Sequence, residues 1–233
     1  MDSYAATAEF YDLLQATQHL ALAERLAARW IAPAVGVLDV GAGTGLATAV
    51  LARLTNLPVH AVEPATPMRT VLLSRMAGRP DMLSHVRVHA RPVEELGLSG
   101  VADVALCLNT MGCLDPVARS SVLSATATAL VPGGVLVVQR PPDRAGPDRR
   151  TLPAWHLGGD VYDGEVTCTP DGPDRLRWRF TYRVSRDGVL VRSVQEDFTG
   201  HLASHRAFDA ELVRAGFTPS AVDDPDIVIA HRA

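Results

Sequence analysis

Val37-Leu38-Asp39-Val40-Gly41-Ala42-Gly43-Thr44-Gly45 reads as the junction of a strand and a helix. Three branched apolar residues interrupted by one acid form the pattern of a short strand buried on both faces in a parallel sheet. Three glycines at alternate positions follow, and Leu46-Ala47-Thr48-Ala49-Val50-Leu51 then opens a helical pattern. A strand that runs through glycines into a helix leaves free backbone N–H groups and a positive dipole end at its carboxyl edge. A ligand can approach such a backbone closely because no Cβ stands in the way. The stretch therefore predicts a nucleotide-cofactor loop.

On its amino-terminal side, residues 1 to 31 read as helical, with Phe10, Leu13 and Leu14 spacing one short segment and Leu20, Leu22, Leu26 and Trp30 another, up to Pro33. On its carboxyl side, strands Val59–Val62, Val86–Ala90, Asp103–Leu108 and Val135–Val138 alternate with helices. One helix runs from Thr66 or Pro67 to Ala77, where Gly78 and Pro80 act as stop signals, and another opens at Asp115-Pro116. This rhythm predicts an α/β fold with a doubly wound, mostly parallel seven-stranded sheet. It breaks after Pro141, and residues 141 to 160 read as loop. Leu176, Trp178, Phe180, Tyr182 and Val184 then alternate with polar residues, and Asp187-Gly188 signals a hairpin that returns through Val189 to Leu202. Ser204 caps a helix up to Ala215, and Phe217–Val222 and Ile227–Ala230 form a closing strand pair. The expected division is a core of 1–140 and 204–233, with an antiparallel β insertion at 141–203 that covers the acceptor side.

The 233 residues suffice for a full core, and 47% hydrophobic with 21% charged residues fits an ordinary globular protein. No apolar run reaches the roughly 18 residues of a membrane span, and the first residues lack the pattern of a signal peptide. Cys107, Cys113 and Cys168 make no metal-ligand pair and are an odd number, which predicts a reduced, cytoplasmic setting and no metal. A net charge of −4 argues against a nucleic-acid partner. All 22 basic residues are arginines. In a chain so rich in Ala, Gly, Pro and Val that bias fits a GC-rich genome, so arginine clusters carry no weight as evidence of binding. The absence of lysine excludes a Schiff-base nucleophile and a P-loop lysine.

A dinucleotide fingerprint requires a glycine where Leu46 stands. Glu63 ends the second strand 18 residues past Gly45, where an acid can hold a ribose diol. Taken alone it reads equally well as an acid favoured by a helix N-terminus. Asp39, an acid in a buried strand, needs partners and is expected to orient the glycine loop.

With these features the sequence resembles the class I S-adenosylmethionine-dependent methyltransferases, through most of its length. The likeness rests on Val37–Gly45, on Glu63 as the ribose acid, on Arg91–Leu96 at the adenine-binding turn, on Cys107–Thr110 at the end of strand four, and on Leu130–Gly134 before strand five. It implies S-adenosylmethionine as cofactor, with Gly41, Ala42, Gly43 and Gly45 around its methionine and ribose portions and Pro64 beside the ribose acid. It also puts Met68 near the adenine and the Leu108 carbonyl facing the methionine amino group. Pro92 stands where the family usually has an aspartate, which leaves the Val93 N–H to bond the ring.

Within the class the sequence is similar to small actinobacterial N-methyltransferases, including amino-sugar N,N-dimethyltransferases. Tyr4 lies seven residues before Tyr11-Asp12, and the antiparallel insertion follows strand five. In that group a tyrosine matching Tyr4 and a histidine bracket the acceptor amine; the histidine position here is Cys113. A homodimer is implied by the resemblance only.

The expected reaction is methyl transfer to a small-molecule acceptor, with nitrogen first and oxygen or carbon as alternatives, in specialised metabolism. A cyclase or isomerase on the same fold, a nicotinamide oxidoreductase and a non-catalytic binding module are the rivals. The insertion holds half of the 12 aromatic residues, and Trp178 and Tyr182 are placed nearest the acceptor. His201 serves as a proton acceptor or is a structural histidine. Asn109 bonds the acceptor or the methionine group, or simply terminates strand four. Tyr11 closes the cofactor site or is a core aromatic. A sulfonium supplies its own driving force, so the protein must mainly align the reactants and exclude water.

Overall fold

The computed structural model describes residues 4–146 and 149–233. Residues 1–3, the head of the expected helical region, and residues 147–148 of the expected loop lie outside them. The chain opens with α1 (Thr7–Trp30), one helix of 24 residues where two short segments are expected. It holds no glycine or proline at which to break, and Phe10, Leu14, Ala23, Leu26 and Ala27 are buried along it.

Then follow β1 (Val37–Val40), α2 (Leu46–Leu54), β2 (Val59–Val62), α3 (Thr66–Ala77), α4 (Pro80–Leu83), β3 (Val86–His89), β4 (Ala102–Cys107), α5 (Pro116–Ala129) and β5 (Leu130–Gln139). The second half comprises β6 (Arg149–Leu157), β7 (Asp160–Pro170), β8 (Arg175–Arg186), β9 (Val189–His201), α6 (His205–Arg214), β10 (Phe217–Ala221) and β11 (Ile227–Arg232).

Seven strands form one sheet in the order β3-β2-β1-β4-β5-β11-β10. The first five run parallel, and β11 and β10 close the edge antiparallel. All four residues of β1 are buried, as its unbroken apolar run requires. The Asp115 carboxylate caps α5 by accepting from the Val117 and Ala118 N–H groups at 2.9 and 2.8 Å, with Pro116 in the first turn. The order of the sheet puts the carboxyl ends of β1 and β4 side by side, at the point where successive crossovers leave in opposite directions.

The structure differs from the sequence expectation in three further places. Pro80, read as a stop, begins the short helix α4. β5 starts five residues early, because Leu130 pairs with Ala102 ahead of a register shift. Half of the expected loop 141–160 is strand: β6 spans 149–157, and with β7, β8 and β9 it makes a second, antiparallel sheet in that order. β6 is an edge strand of which only Leu152 is buried, so it shows no alternation. Its pairing shifts register between Leu152 and Trp155, around Pro153, as an edge strand tolerates. Asp187 and Gly188 both take positive φ, 50° and 77°, in the β8–β9 turn, which is the geometry of the expected hairpin.

α1 serves both sheets. Its first half packs Phe10 and Leu14 into a cluster with Leu152, Val166, Tyr182 and Val184 of the second sheet. Its second half sends Ala23 and Ala27 against Val50 of α2, and Leu26 into the main core.

Candidate active site

The glycine loop hangs from β2, where the Val62 carbonyl accepts the N–H groups of both Gly41 (3.0 Å) and Ala42 (2.9 Å). Gly41, Gly43 and Gly45 have φ of 75°, 57° and 81°. At Gly41 no other residue fits, since a Cβ there would lie 2.1 Å from Thr110 Oγ1 on the neighbouring crossover. Gly45 hands the chain to α2 from a left-handed conformation.

Glu63 is buried and turned back towards the loop. Its Oε2 accepts the Gly43 N–H at 2.8 Å and its Oε1 the Ala65 N–H at 2.7 Å. Burial raises its pKa, against the lowering effect of those two N–H groups and of the Arg69 guanidinium. Each carboxylate oxygen keeps a further acceptor site, as a ribose diol requires. Met68 is buried with its Cε 3.7 Å from where a Gly43 Cβ would be. Pro64 is exposed, and its carbonyl accepts from Arg69 at 2.9 Å. Pro92 precedes a 3-10 turn at Val93–Glu95, and the Val93 side chain is buried in the main core.

A cleft between α1, the glycine loop and the end of β4 is lined by Tyr11, His19, Asp39, Gly41, Ala42, Gly43, Thr44, Leu46, Ala47, Leu108 and Asn109. Asp39 accepts from Thr48 Oγ1 at 2.6 Å, and burial pushes its pKa up to about 7 despite that bond. The Leu108 carbonyl already accepts from Thr110 Oγ1 at 2.9 Å, leaving one lone pair. Asn109 turns into the left-handed region at φ 52°, and its N–H donates to Gln139 Oε1 at 3.0 Å. Burial raises the Tyr11 phenol, with Asp12 beside it adding to the effect.

Sequence reasoning missed the clasp that holds α1 over this cleft. Asp12 accepts from Thr44 Oγ1 at 2.6 Å and from Arg75 of α3, while Arg75 Nε donates to the Thr44 carbonyl at 2.9 Å. It also missed His19, about two helical turns beyond Tyr11. Tyr11-Asp12 marks the start of the clasp in the sequence, but nothing local marks Thr44, Arg75 or His19.

On the other side of the β4 end, Tyr4 and Cys113 meet, with the Tyr4 hydroxyl donating to Cys113 Sγ at 3.9 Å. Cys113 lies in a 3-10 turn, Met111–Cys113. The Tyr4 ring packs on Phe198 of β9 with centroids 4.8 Å apart. Burial, with Cys113 nearby, pushes the Tyr4 phenol far up, and burial raises the Cys113 thiol. Both groups therefore keep their protons at neutral pH. Trp178 reaches the same turn, its ring 3.5 Å from a would-be Gly112 Cβ and packed over Gly200.

Tyr182, expected beside the acceptor, is elsewhere. It is 0% exposed, stacks on Phe10 at 4.6 Å and donates to Thr7 Oγ1 at 3.2 Å, so it presents no surface to a ligand. The alternation that signals a strand gives both faces of β8 but does not say that α1 covers this one. His201 ends β9, half-buried and near Asp115. Among the described residues no group of three or more His, Cys, Asp or Glu side chains is placed to hold a metal ion.

S-adenosylmethionine fits these residues: a backbone cradle closed to side chains, a carboxylate with free acceptor sites, and a polar cleft beneath α1. Residues 37–134 match the family model described as a methyltransferase domain. No curated protein matches the chain. Among solved structures it is similar to S-adenosylmethionine-bound CalS10 from Micromonospora echinaspora, an amino pentose methyltransferase of calicheamicin biosynthesis (22% identity, 94% of this chain and 92% of that one, TM-score 0.72). It is also similar to the sugar N-methyltransferase KedS8 from Streptoalloteichus sp. (20%, 94% and 88%, TM-score 0.74). A third is the CcbJ methyltransferase from Streptomyces caelestis (21%, 100% and 96%, TM-score 0.72). At these identities the likeness establishes the fold, and the family model establishes the domain that carries the donor site. Residues 37–134 form a methyltransferase domain, and the chain built around them has the fold of the S-adenosylmethionine-dependent methyltransferases named above.

Proposed function

We propose that the enzyme methylates a nitrogen atom of a cyclic small molecule of specialised metabolism, in the cytoplasm. The observation that carries this is the Tyr4–Cys113 pair, half-buried between Phe198 and the end of β4 and next to the donor cleft. The bound donor supplies a methyl group already activated on a sulfonium. Glu63 and the glycine loop hold the nucleoside, and Asp12, Thr44 and Arg75 keep α1 closed over it. The Tyr4 hydroxyl orients the acceptor, and the rings of Phe198 and Trp178 wall the space and exclude water. Neither Tyr4 nor Cys113 is a base at neutral pH, so the amine gives its proton to solvent before it docks. An aromatic wall suits a sugar or heterocycle. The amino pentose and sugar substrates of CalS10 and KedS8 support this choice.

The test is incubation with methyl-labelled donor and a panel of amino sugars and cyclic amines. A product carrying the label on nitrogen is expected. Label on oxygen or carbon, or a rearranged product of unchanged mass, overturns the nitrogen assignment.

A further inference from the structure

His19 Nδ1 is buried without a hydrogen-bond partner in the structure. The ring lies 5.0 Å from that of Tyr11, centroid to centroid, and lines the cleft together with Gly41, Ala42 and Asn109. A buried polar atom left unpaired costs free energy that a ligand can recover. The charged groups around it define which ligand. Asp12, on the same helix, has both oxygens engaged by Thr44 and Arg75. Arg150 of β6 lies close enough to act on the imidazole electrostatically, and Asp39 of β1 also lines the cleft. The cleft thus offers an acid together with an imidazole near a guanidinium. That is the complement of an α-amino acid, and the donor ends in one.

We propose that His19 binds the amino-acid carboxylate of the donor as an imidazolium, so that donor binding takes up one proton. This rests on the donor assignment above. In the free enzyme burial and Arg150 hold His19 below its ordinary pKa, with Asp12 opposing, so the ring is neutral at pH 7. A carboxylate arriving at Nδ1 reverses that balance, and the proton comes from solvent.

The test is calorimetry with S-adenosylhomocysteine and with 5′-methylthioadenosine, which lacks the amino-acid end, in buffers of different ionisation enthalpy. The wild type is expected to take up more protons with S-adenosylhomocysteine than His19→Gln does. The variant is expected to bind it about tenfold more weakly at pH 6.5, the effect of one lost charge-assisted bond. The difference vanishes at alkaline pH, and 5′-methylthioadenosine binds both proteins alike. Any titration of Asp39 is common to both proteins and cancels in the comparison. His19→Arg is expected to restore affinity and remove the difference with pH. Equal losses for both ligands, or unchanged proton uptake in His19→Gln, overturn the proposal while leaving the donor site standing. Failure of the wild type to bind either nucleoside overturns both.

Discussion

In the seven-stranded sheet β1 is buried on both faces, whereas in the four-stranded sheet β8 turns one face to α1 and the other to solvent. The outer face is a ladder of cross-strand ion pairs: Arg149 with Glu165, Arg179 with Asp197 at 2.7 Å and Arg183 with Asp163 at 2.8 Å. The arginines that composition could not interpret are thus partners of acids on adjacent strands. The buried sheet carries the donor site on backbone that tolerates no side chain. The half-exposed sheet carries the side chains proposed to wall the acceptor space. Substitutions in the first should strike donor binding, and those in the second acceptor recognition or nothing at all.

Gly41→Ala gives the sharpest contrast with Gly200→Ala. The first forces a Cβ to within 2.1 Å of Thr110 Oγ1 at φ 75°, and turnover and S-adenosylhomocysteine affinity are expected to fall by roughly 100-fold or more. The second pushes on the Trp178 ring, 2.7 Å away, and should raise acceptor KM while the donor Kd stays put. Equal donor loss in both variants would erase the distinction between the sheets.

Asp39 tests the cost of an acid in the buried sheet. Its pKa rises from 3.8 to about 7 on folding. The protonated form is therefore the one that folding favours. Its contribution to the stability of ligand-free protein is complete below pH of about 4, shrinks as pH rises, and is gone above about 7. Asp39→Asn should flatten that slope and be more stable than wild type at pH 8 by on the order of 2 kcal/mol, read from urea melts. A wild-type slope of opposite sign between pH 4 and 7 that Asp39→Asn abolishes would refute the assignment.

Glu63→Gln keeps one acceptor oxygen for two backbone donors and loses the charge at the ribose. A donor Kd weaker by about tenfold is expected, with acceptor KM unaltered. Tyr4→Phe should lower kcat by about fivefold, leave S-adenosylhomocysteine binding intact and keep the shape of the pH–rate profile. A changed profile would make Tyr4 a proton carrier. Arg179→Ala, on the ladder, should leave both the melting temperature and activity where they are, since the pair is solvent-exposed.

What was legible in the sequence follows the same divide. Val37–Gly45 and Glu63 announced the parallel sheet and its donor edge because burial on both faces and side-chain-free backbone leave an unbroken local pattern. β6 and β7 left none: β6 is exposed along most of its length, and the acids and arginines of the ladder look like loop composition until strands bring them together. The site shows the same limit. Tyr4 and Cys113, 109 positions apart, were identified through a family likeness, and the structure puts them in contact. Tyr182 was misplaced because alternation names a strand's faces without saying what covers them. His19 escaped notice because its significance lies in a neighbour it lacks.

α1 is 24 residues long, which makes a rod of about 36 Å. Its first residue is pinned to the second sheet by the Thr7 N–H on Glu196 at 2.7 Å, and five residues on it is latched to the glycine loop through Asp12. A stiff beam fastened at both places cannot swing away from one ligand and stay seated over the other. Under the proposed reaction, entry of the donor and admission of its acceptor therefore share a single door.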